Sequence, residues 1–221
     1  MTIPEYRQHR YTPPAGSTTI VLVRHGASAP ARADQPFPLV NGHGDPELAP
    51  EGVAQAKLVC DRLAAGPEVE AIYVTPLRRT SQTAAQFAAH TGLTPVVVDD
   101  LVEVHLGEWE AGLYRQRVAE GHPLAVRMNA EQRWDVIPGA ESTEHLRTRV
   151  RRGINQIAAA HPGGRVAVFT HGGVIGQIIA DATASRPFAF MRSDNCAISM
   201  LAVTEAGWVV MGFNDTSHLD G

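Results

Sequence analysis

Two stretches of the sequence share one order of residues: an apolar, β-branched run, then a histidine, then a glycine. They are TTIVLVRHGAS at 18–28 and RVAVFTHGGVI at 165–175. Such runs predict buried strands, so His25 and His171 each follow the end of a strand. Ligands bind at that position in parallel α/β sheets. A single histidine there is more often structural, but the repeated arrangement predicts a shared functional site.

Strand and helix patterns alternate along the rest of the chain. Further buried strands are predicted at 71–75, 95–98, 198–203 and 208–213. Apolar residues recur at helical spacing in two segments, at Val53, Ala56, Cys60 and Leu63 and again at Leu146, Val150, Ile154 and Ile157. Strands that alternate with helices pair in parallel, whereas the last two strands, separated only by TEAG, predict a hairpin. The predicted fold class is α/β, with a mostly parallel central sheet flanked by helices and an edge hairpin.

The length of 221 residues suits one substantial core, and no linker divides the chain into separately patterned halves. We expect an N-terminal extension at 1–17, followed by a single domain at 18–219. Two long irregular segments interrupt this domain: a loop at 29–50 and an insertion at 110–138 that contains short helical pieces. Because long excursions in compact domains are more often functional than accidental, we expect both segments to wall a pocket.

Composition argues against several kinds of partner. The formal net charge of −4 gives no general attraction for nucleic acid or an anionic membrane, so any anion site must be local. No apolar run approaches the roughly 20 residues that span a bilayer, and the start lacks the apolar core of a signal peptide, so we expect a cytoplasmic location. The spacing of Cys60 and Cys196 is not that of a metal-binding motif. His43 and Asp45 are close in sequence, but two ligands are too few for a metal site. We therefore expect no metal and no cofactor.

The residues around the two histidines predict a site for a phosphoryl group. A glycine after each histidine lets a tetrahedral anion approach the backbone closely, and Arg24 offers a planar cationic donor suited to phosphate oxygens. In TPLRRTSQTA at 75–84, Arg78 and Arg79 begin a helix, where cations oppose the helix dipole unless an anion lies nearby. We expect Arg78 to remain a solvated surface residue.

A segment rich in acidic residues supplies candidates for a proton donor. DDLVEVHLGEWEAG at 99–112 carries Glu103, Glu108 and Glu110. Cleavage of a phosphate ester needs a proton for the departing oxygen, and a carboxyl group whose pKa is raised by its pocket can supply it. Chemistry alone does not choose among the three glutamates.

Taken together, these motifs resemble those of the histidine phosphatase superfamily, which includes the cofactor-dependent phosphoglycerate mutases and related phosphatases. The resemblance covers roughly 18–219 and rests on RHG, TPLRRT, LVEVHLGEWE and THGG, in that order. It implies a three-layer α/β/α fold. It also implies that His25 is the phosphorylated nucleophile with Arg24 beside it, that Arg79 is the second catalytic arginine, that Glu103 is the proton donor, and that His171 is the second histidine.

The sequence departs from the family pattern in the phosphate pocket. Many members carry an asparagine six residues after the nucleophile, where this chain has Ala31. We expect Ser28 to contact phosphate in its place and Asn41 or His43 to face the leaving group. Gly172, directly after the second histidine, is expected to let the phosphate approach its backbone.

The resemblance and the residue chemistry imply one reaction scheme. Neutral His25 attacks phosphorus in line, while Arg24, Arg79 and a protonated His171 neutralise the equatorial oxygens. Glu103 protonates the leaving alcohol and then deprotonates the water that hydrolyses the phosphohistidine. Three cationic groups thus supply the charge that metal ions supply elsewhere.

The sequence favours a metal-independent phosphomonoesterase that acts on a small phosphorylated metabolite. One alternative is a bisphosphoglycerate-dependent phosphoglycerate mutase, which the basic residues of the insertion keep open: Arg115, Arg117, Arg127 and Arg133. A second alternative is a weakly catalytic phosphate-ligand binding protein. The expected partner is a small-molecule phosphomonoester, with no nucleic acid and no membrane, and a homodimer is possible.

Overall fold

The computed structural model describes residues 5–220 and is built on a six-stranded sheet. The main sheet has the order β5-β4-β6-β1-β7-β8, and β2 pairs with β3 in a separate two-stranded sheet. The strands are β1 (Thr18–Arg24), β2 (Leu39–Val40), β3 (His43–Gly44), β4 (Ala71–Val74), β5 (Val96–Val97), β6 (Arg165–Thr170), β7 (Ile198–Thr204) and β8 (Gly207–Asp215). The helices are α1 (Pro50–Ala64), α2 (Arg78–Thr91), α3 (Leu113–Ala119), α4 (Pro123–Glu131), α5 (Thr143–Ala160) and α6 (Gly172–Thr183). None of these helices is both long and apolar enough to cross a membrane.

The sheet is parallel on one side of its centre and antiparallel on the other. β5, β4, β6 and β1 run in parallel, whereas β7 is antiparallel to β1 and forms the edge hairpin with β8. The six predicted strands and the predicted hairpin are all present. The α/β fold class is therefore confirmed.

Alternation of side chains along the central strands creates two separate cores. On β1, Ile20 and Leu22 pack in one cluster with α5 and α6, whereas Val21 and Val23 pack in the other with α1 and α2. This period-two alternation is what a strand covered on both faces requires. The sheet is thus the middle of three layers, as the family resemblance implied.

Two predictions about burial are wrong. Val96 and Val97 of β5 are exposed, because β5 is the edge strand of the sheet and lacks a neighbour on its outer side. Val53 is also exposed, although it fits the helical spacing, because the buried stripe of α1 passes through Ala56, Val59 and Leu63 instead.

The two irregular segments contain more structure than the sequence pattern indicated. Within 29–50, β2 and β3 form a small hairpin around Asn41 and Gly42, both of which have positive φ. An Asn-Gly pair is the usual signal for a two-residue hairpin turn. The segment was nevertheless predicted to be a loop. The insertion at 110–138 contains α3, α4 and a 3₁₀ turn at Trp134–Val136, which agrees with the expected short helical pieces.

A close contact between two backbones fixes the chain after β1. A Cβ atom at Gly52 of α1 would lie 2.0 Å from the carbonyl oxygen of Ala27, and one at Gly26 would lie 2.5 Å from the carbonyl oxygen of Gly52. Only residues without a side chain allow this approach. The amide N–H of Gly26 donates to Thr83 Oγ1, so α1 and α2 together hold the segment that follows Arg24.

We expect Gly52→Ala to destabilise the protein by about 1–3 kcal/mol, because overpacking a backbone contact forces local displacement. Gly212→Ala is the matched control, since a Cβ there meets only the Met200 side chain at 3.9 Å. Denaturant unfolding of both variants measures the difference. Equal stability of the two variants would contradict the role assigned to the Gly26–Gly52 contact.

Candidate active site

Four predicted site residues meet at the carboxyl ends of the parallel strands, around a cavity of about 280 Å³. Arg24 is the last residue of β1 and His25 follows it, Arg79 lies in the first turn of α2, and Glu103 comes from the loop after β5. The irregular segment 29–50 and the insertion 110–138 both contribute walls. Among the residues that line the cavity are Phe37, His43, Gly44, Trp109, Tyr114, Arg115 and Trp134.

His25 is buried and held in one tautomer by its own backbone. Its Nδ1 lies 2.8 Å from the carbonyl oxygen of Gly26, which can only accept, so Nδ1 carries the proton and Nε2 keeps a free lone pair. Burial, together with the charges of Arg79 and Arg24, holds the pKa of His25 well below its usual value. The ring is therefore a neutral imidazole with a nucleophilic nitrogen.

His171 is fully buried beside His25, at the N-cap of α6. The two ring centroids are 5.3 Å apart, and Thr75 Oγ1 lies 2.9 Å from His171 Nε2. When the threonine donates, Nδ1 carries the ring proton, and Nδ1 has no hydrogen-bond partner in residues 5–220. Burial and the charge of Arg79 hold the pKa of His171 well below its usual value. We therefore expect His171 to be neutral in the free protein and to become protonated only when an anion binds.

Two arginines surround His25 with positive charge. Arg24 donates from Nη1 to the carbonyl oxygen of Ser193, while its buried Nε has no partner in the part of the chain that the structure describes. Arg79 donates from Nη1 to the carbonyl oxygen of Gly44 at 2.9 Å. Burial lowers the pKa of Arg24 and lowers that of Arg79 to about 10.

Arg78 is exposed, as expected, and it is also paired with an acidic residue. Asp45, which is buried, accepts from the Arg78 backbone N–H at 2.8 Å and from Arg78 Nε at 2.9 Å. The carboxylate thus caps the start of α2 from another segment of the chain. Asp45 is one of the two residues considered as metal ligands, and its carboxylate is already bound by Arg78. In residues 5–220, no group of three or more His, Cys, Asp or Glu side chains could hold a metal ion.

The three candidate glutamates occupy different environments. Glu108 is exposed on a 3₁₀ turn, away from the cavity. Glu110 lines the cavity, but its carboxylate accepts from the backbone N–H groups of Gly44 and Leu106, at 2.7 and 2.8 Å. Glu103 also lines the cavity, with Oε2 3.4 Å from the N–H of Gly173 at the start of α6. Its Oε1 accepts from the Val104 N–H at 3.0 Å, and its charge acts on both Arg24 and Arg79.

A buried arginine that the sequence analysis did not identify holds the Glu103 segment in place. Arg149 of α5 donates to the carbonyl oxygens of Asp100, Val102 and Glu103, at distances from 2.7 to 3.1 Å. Its guanidinium also binds both carboxylate oxygens of Glu141. Burial raises the pKa of Glu141, but Arg149 outweighs that effect and lowers the pKa overall. The position of Arg149 on the apolar stripe of α5 was the available signal.

Aromatic rings and a further cation, Arg115, also line the cavity. Trp109, Tyr114 and Trp134 form a continuous series, with ring centroids 6.4 and 6.0 Å apart. Arg115 lies over the ring of Phe37 at 5.3 Å. It donates to Ser28 Oγ at 2.7 Å and to the carbonyl oxygen of Ala29 at 2.9 Å. These aromatic residues were not among the sequence candidates.

Of the other four residues predicted to bind the substrate, His43 is among those that line the cavity, whereas Asn41, Ser28 and Gly172 are not. His43 lines it, and its Nδ1 is 3.8 Å from Glu110. Asn41 is exposed at the turn between β2 and β3, where its positive φ serves the hairpin. Ser28 supports Arg115, which itself lines the cavity. Gly172 is buried, and a Cβ there would lie 3.3 Å from Arg24 Nε.

Comparison with known proteins agrees with this arrangement. The sequence pattern of the histidine phosphatase superfamily (branch 1) matches residues 20–216. The chain is 34% identical to phosphoglycerate mutase-like protein 4 of Arabidopsis thaliana, over 91% of this chain and 86% of that protein. It is 31% identical to the metal-independent phosphoserine phosphatase of the same plant, over 91% and 83%. A phosphoglycerate mutase structure from Bacillus anthracis has the same fold, with a TM-score of 0.75, 20% identity, and coverage of 93% and 96%. The chain belongs to the histidine phosphatase superfamily.

Proposed function

We propose that this chain, a phosphomonoesterase of the histidine phosphatase type, cleaves small phosphate esters that carry a carboxylate, through a phosphohistidine on His25. One observation carries the proposal: a neutral His25 with a free Nε2 lies beside two buried nitrogens, Arg24 Nε and His171 Nδ1, that have no hydrogen-bond partner among residues 5–220. Buried polar groups are normally paired. A phosphoryl group placed against Nε2 would supply the missing acceptors.

The phosphoryl transfer follows from these positions. His25 Nε2 attacks phosphorus, and Arg24 and Arg79 stabilise the charge on the equatorial oxygens. The approaching dianion raises the pKa of His171, which then shares a proton with a phosphate oxygen. Without ligand, burial and the charge of Arg79 lower the pKa of both histidines. The negative charge of the bound substrate offsets the effect of Arg79.

Glu103 is the proposed proton donor for the leaving alcohol. Its carboxyl lines the cavity, beside the start of α6 and within the electrostatic reach of Arg24 and Arg79. Arg149 holds the backbone of the segment that carries it, so the carboxyl stays in place through both half-reactions. After the alcohol leaves, the carboxylate accepts a proton from the water that attacks the phosphohistidine.

The preference for a carboxylate rests on Arg115. Its hydrogen bonds go to neutral oxygens of Ser28 and Ala29, and both burial and the nearby charge of Arg24 lower its pKa. A carboxylate on the substrate would relieve that repulsion through a planar, two-point contact. The relative named a phosphoserine phosphatase supports a substrate of this kind.

The proposed location is the cytoplasm. Cys60 and Cys196 are both buried free thiols, and burial raises the pKa of each. Free cysteines of this kind suit a reducing compartment, where disulfides are rare.

Replacement of His25 by alanine is expected to abolish turnover and the acid-labile phosphate that rapid-quench labelling detects in the wild type. Labelling is done in EDTA, since Arg24 and Arg79 supply the positive charge. His90→Ala, an exposed position on α2, is the control and should label normally. A label that is lost on replacement of His171 but kept on replacement of His25 would reverse the assigned roles of the two histidines.

Glu103→Gln is expected to lower kcat/KM for phosphoserine by about 10²–10⁴-fold, because the alkyl leaving group needs a proton. We compare kcat/KM because it reports only the steps up to phosphoenzyme formation, so the role of Glu103 in hydrolysis of the phosphohistidine does not enter the comparison. The loss on p-nitrophenyl phosphate should be much smaller, since a nitrophenolate leaves without protonation. Glu108→Gln, at an exposed position, is the control for both substrates. Equal losses on the two substrates would argue that Glu103 has only a structural role.

Arg115→Met is expected to raise KM for phosphoserine and 3-phosphoglycerate by about 10- to 100-fold, since a charged hydrogen bond contributes about 1.5–3 kcal/mol. The KM for p-nitrophenyl phosphate, which has no carboxylate, should change little. Arg117→Met on the same helix is the matched control, because Arg117 pairs with Glu120. A parallel rise for all three substrates would place Arg115 on the phosphate instead, and isomerised phosphoglycerate without released phosphate would indicate a mutase.

A further inference from the structure

A second cavity lies along the face of the sheet that packs against α1, where Val21, Leu63 and Met200 line it. Its volume is about 510 Å³, which falls in the range of sites that hold small organic ligands. It shares no lining residue with the catalytic cavity. Arg165, the first residue of β6, lines it, whereas His171 follows the last residue of the same strand. Arg165 and His171 are therefore about 20 Å apart along the strand, at about 3.3 Å per residue.

Arg165 is a cation without an adequate acceptor. Its Nε is buried and has no hydrogen-bond partner within residues 5–220. Its Nη2 lies 4.0 Å from Met200 Sδ, and a thioether is a weak acceptor. Burial lowers the pKa of Arg165, and no charge within the described residues 5–220 offsets that effect. The guanidinium therefore has unused donors at the wall of a cavity.

The other charged groups of this cavity leave it positive. Arg62 and Asp215 also line it, and they lie 3.8 Å from each other, so their charges largely offset. Arg10, from the segment before β1, adds a further cation to the lining. An anion placed beside Arg165 would thus meet two uncompensated positive charges.

Most of the other lining side chains are apolar. They include Val21, Ile198, Met200, Met211 and Phe213, from β1 and the β7–β8 hairpin. Methionine side chains adapt to irregular apolar groups. A fully hydrated small anion would leave this surface uncovered, so the lining favours an anion with an apolar body.

We propose that this cavity binds a carboxylate carried on an apolar chain, with the carboxylate on Arg165 and the chain against Met200 and Met211. The planar fork of a guanidinium matches the two oxygens of a carboxylate. The site is separate from the catalytic cavity and does not depend on the proposed substrate.

Isothermal titration calorimetry with octanoate tests the proposal on the full chain. Octanoate should bind at one site, and Arg165→Met should weaken binding at least about tenfold, because the charged hydrogen bonds are lost. Arg186→Met, at an exposed position after α6, should bind as the wild type does. Octanol, which has the chain without the charge, and acetate, which has the charge without the chain, should both bind more weakly.

A second variant keeps the test decisive if Arg165→Met fails to fold. Gly212 lines the cavity, and a Cβ there meets only Met200 at 3.9 Å, so Gly212→Leu should fill the space and abolish octanoate binding with Arg165 intact. Saturating inorganic phosphate should not displace octanoate. Displacement by phosphate, equal binding of octanol, or binding that survives the substitutions would each overturn the proposal.

Discussion

The parallel pairing of β1 with β6 is the constraint on which the site depends. Its register places Arg24 opposite Thr170, so the next residue of each chain segment, His25 and His171, leaves the sheet at the same height. The N–H of His25 donates to the carbonyl oxygen of Thr170 at 3.0 Å, which continues the pairing by one residue. A shift of one residue would move either histidine to the other face of the sheet. The 5.3 Å separation of the two rings follows from this register.

Glycines allow charged groups and backbone to approach each other at this edge. A Cβ at Gly173 would lie 2.6 Å from Glu103 Oε1, and one at Gly172 would lie 3.3 Å from Arg24 Nε. These two residues begin α6, whose backbone N–H groups face the loops that carry the charges. The glycines thus let a helix start, an arginine and a glutamate share a small volume.

The site concentrates cations where burial makes charge costly. Arg24 and Arg79 lie near Glu103, but two histidines are kept neutral by burial and by Arg79. Strongly shifted pKa values of this kind are typical of functional sites. A phosphoryl group that binds here reduces the electrostatic repulsion among these cations. The resulting gain in free energy contributes to binding at the atoms that react. Arg115, which also lines the cavity, adds its charge to those that lower the pKa of His25.

Much of the fold was encoded locally in the sequence. The runs that became β1 and β6 are apolar and β-branched because both faces of the sheet are covered, and the hairpin of β7 and β8 followed from four residues between two strands. The histidines after β1 and β6 could likewise be located from their strands. Exposure of Val96 and Val97 could not, because strand order decides which strand is at the edge.

The sequence by itself determined the chemistry that is available, and the tertiary structure decided which groups meet. His25, Arg24 and Arg79 were identified from local motifs, since each follows a strand or begins a helix. Arg149 reaches the Glu103 segment from α5, and Asp45 reaches α2 from a loop more than thirty residues away in sequence. The aromatic wall from 109 to 134 likewise forms only when the insertion folds over the sheet. Contacts of this kind depend on the relative placement of elements distant in sequence, which no local pattern of residues records.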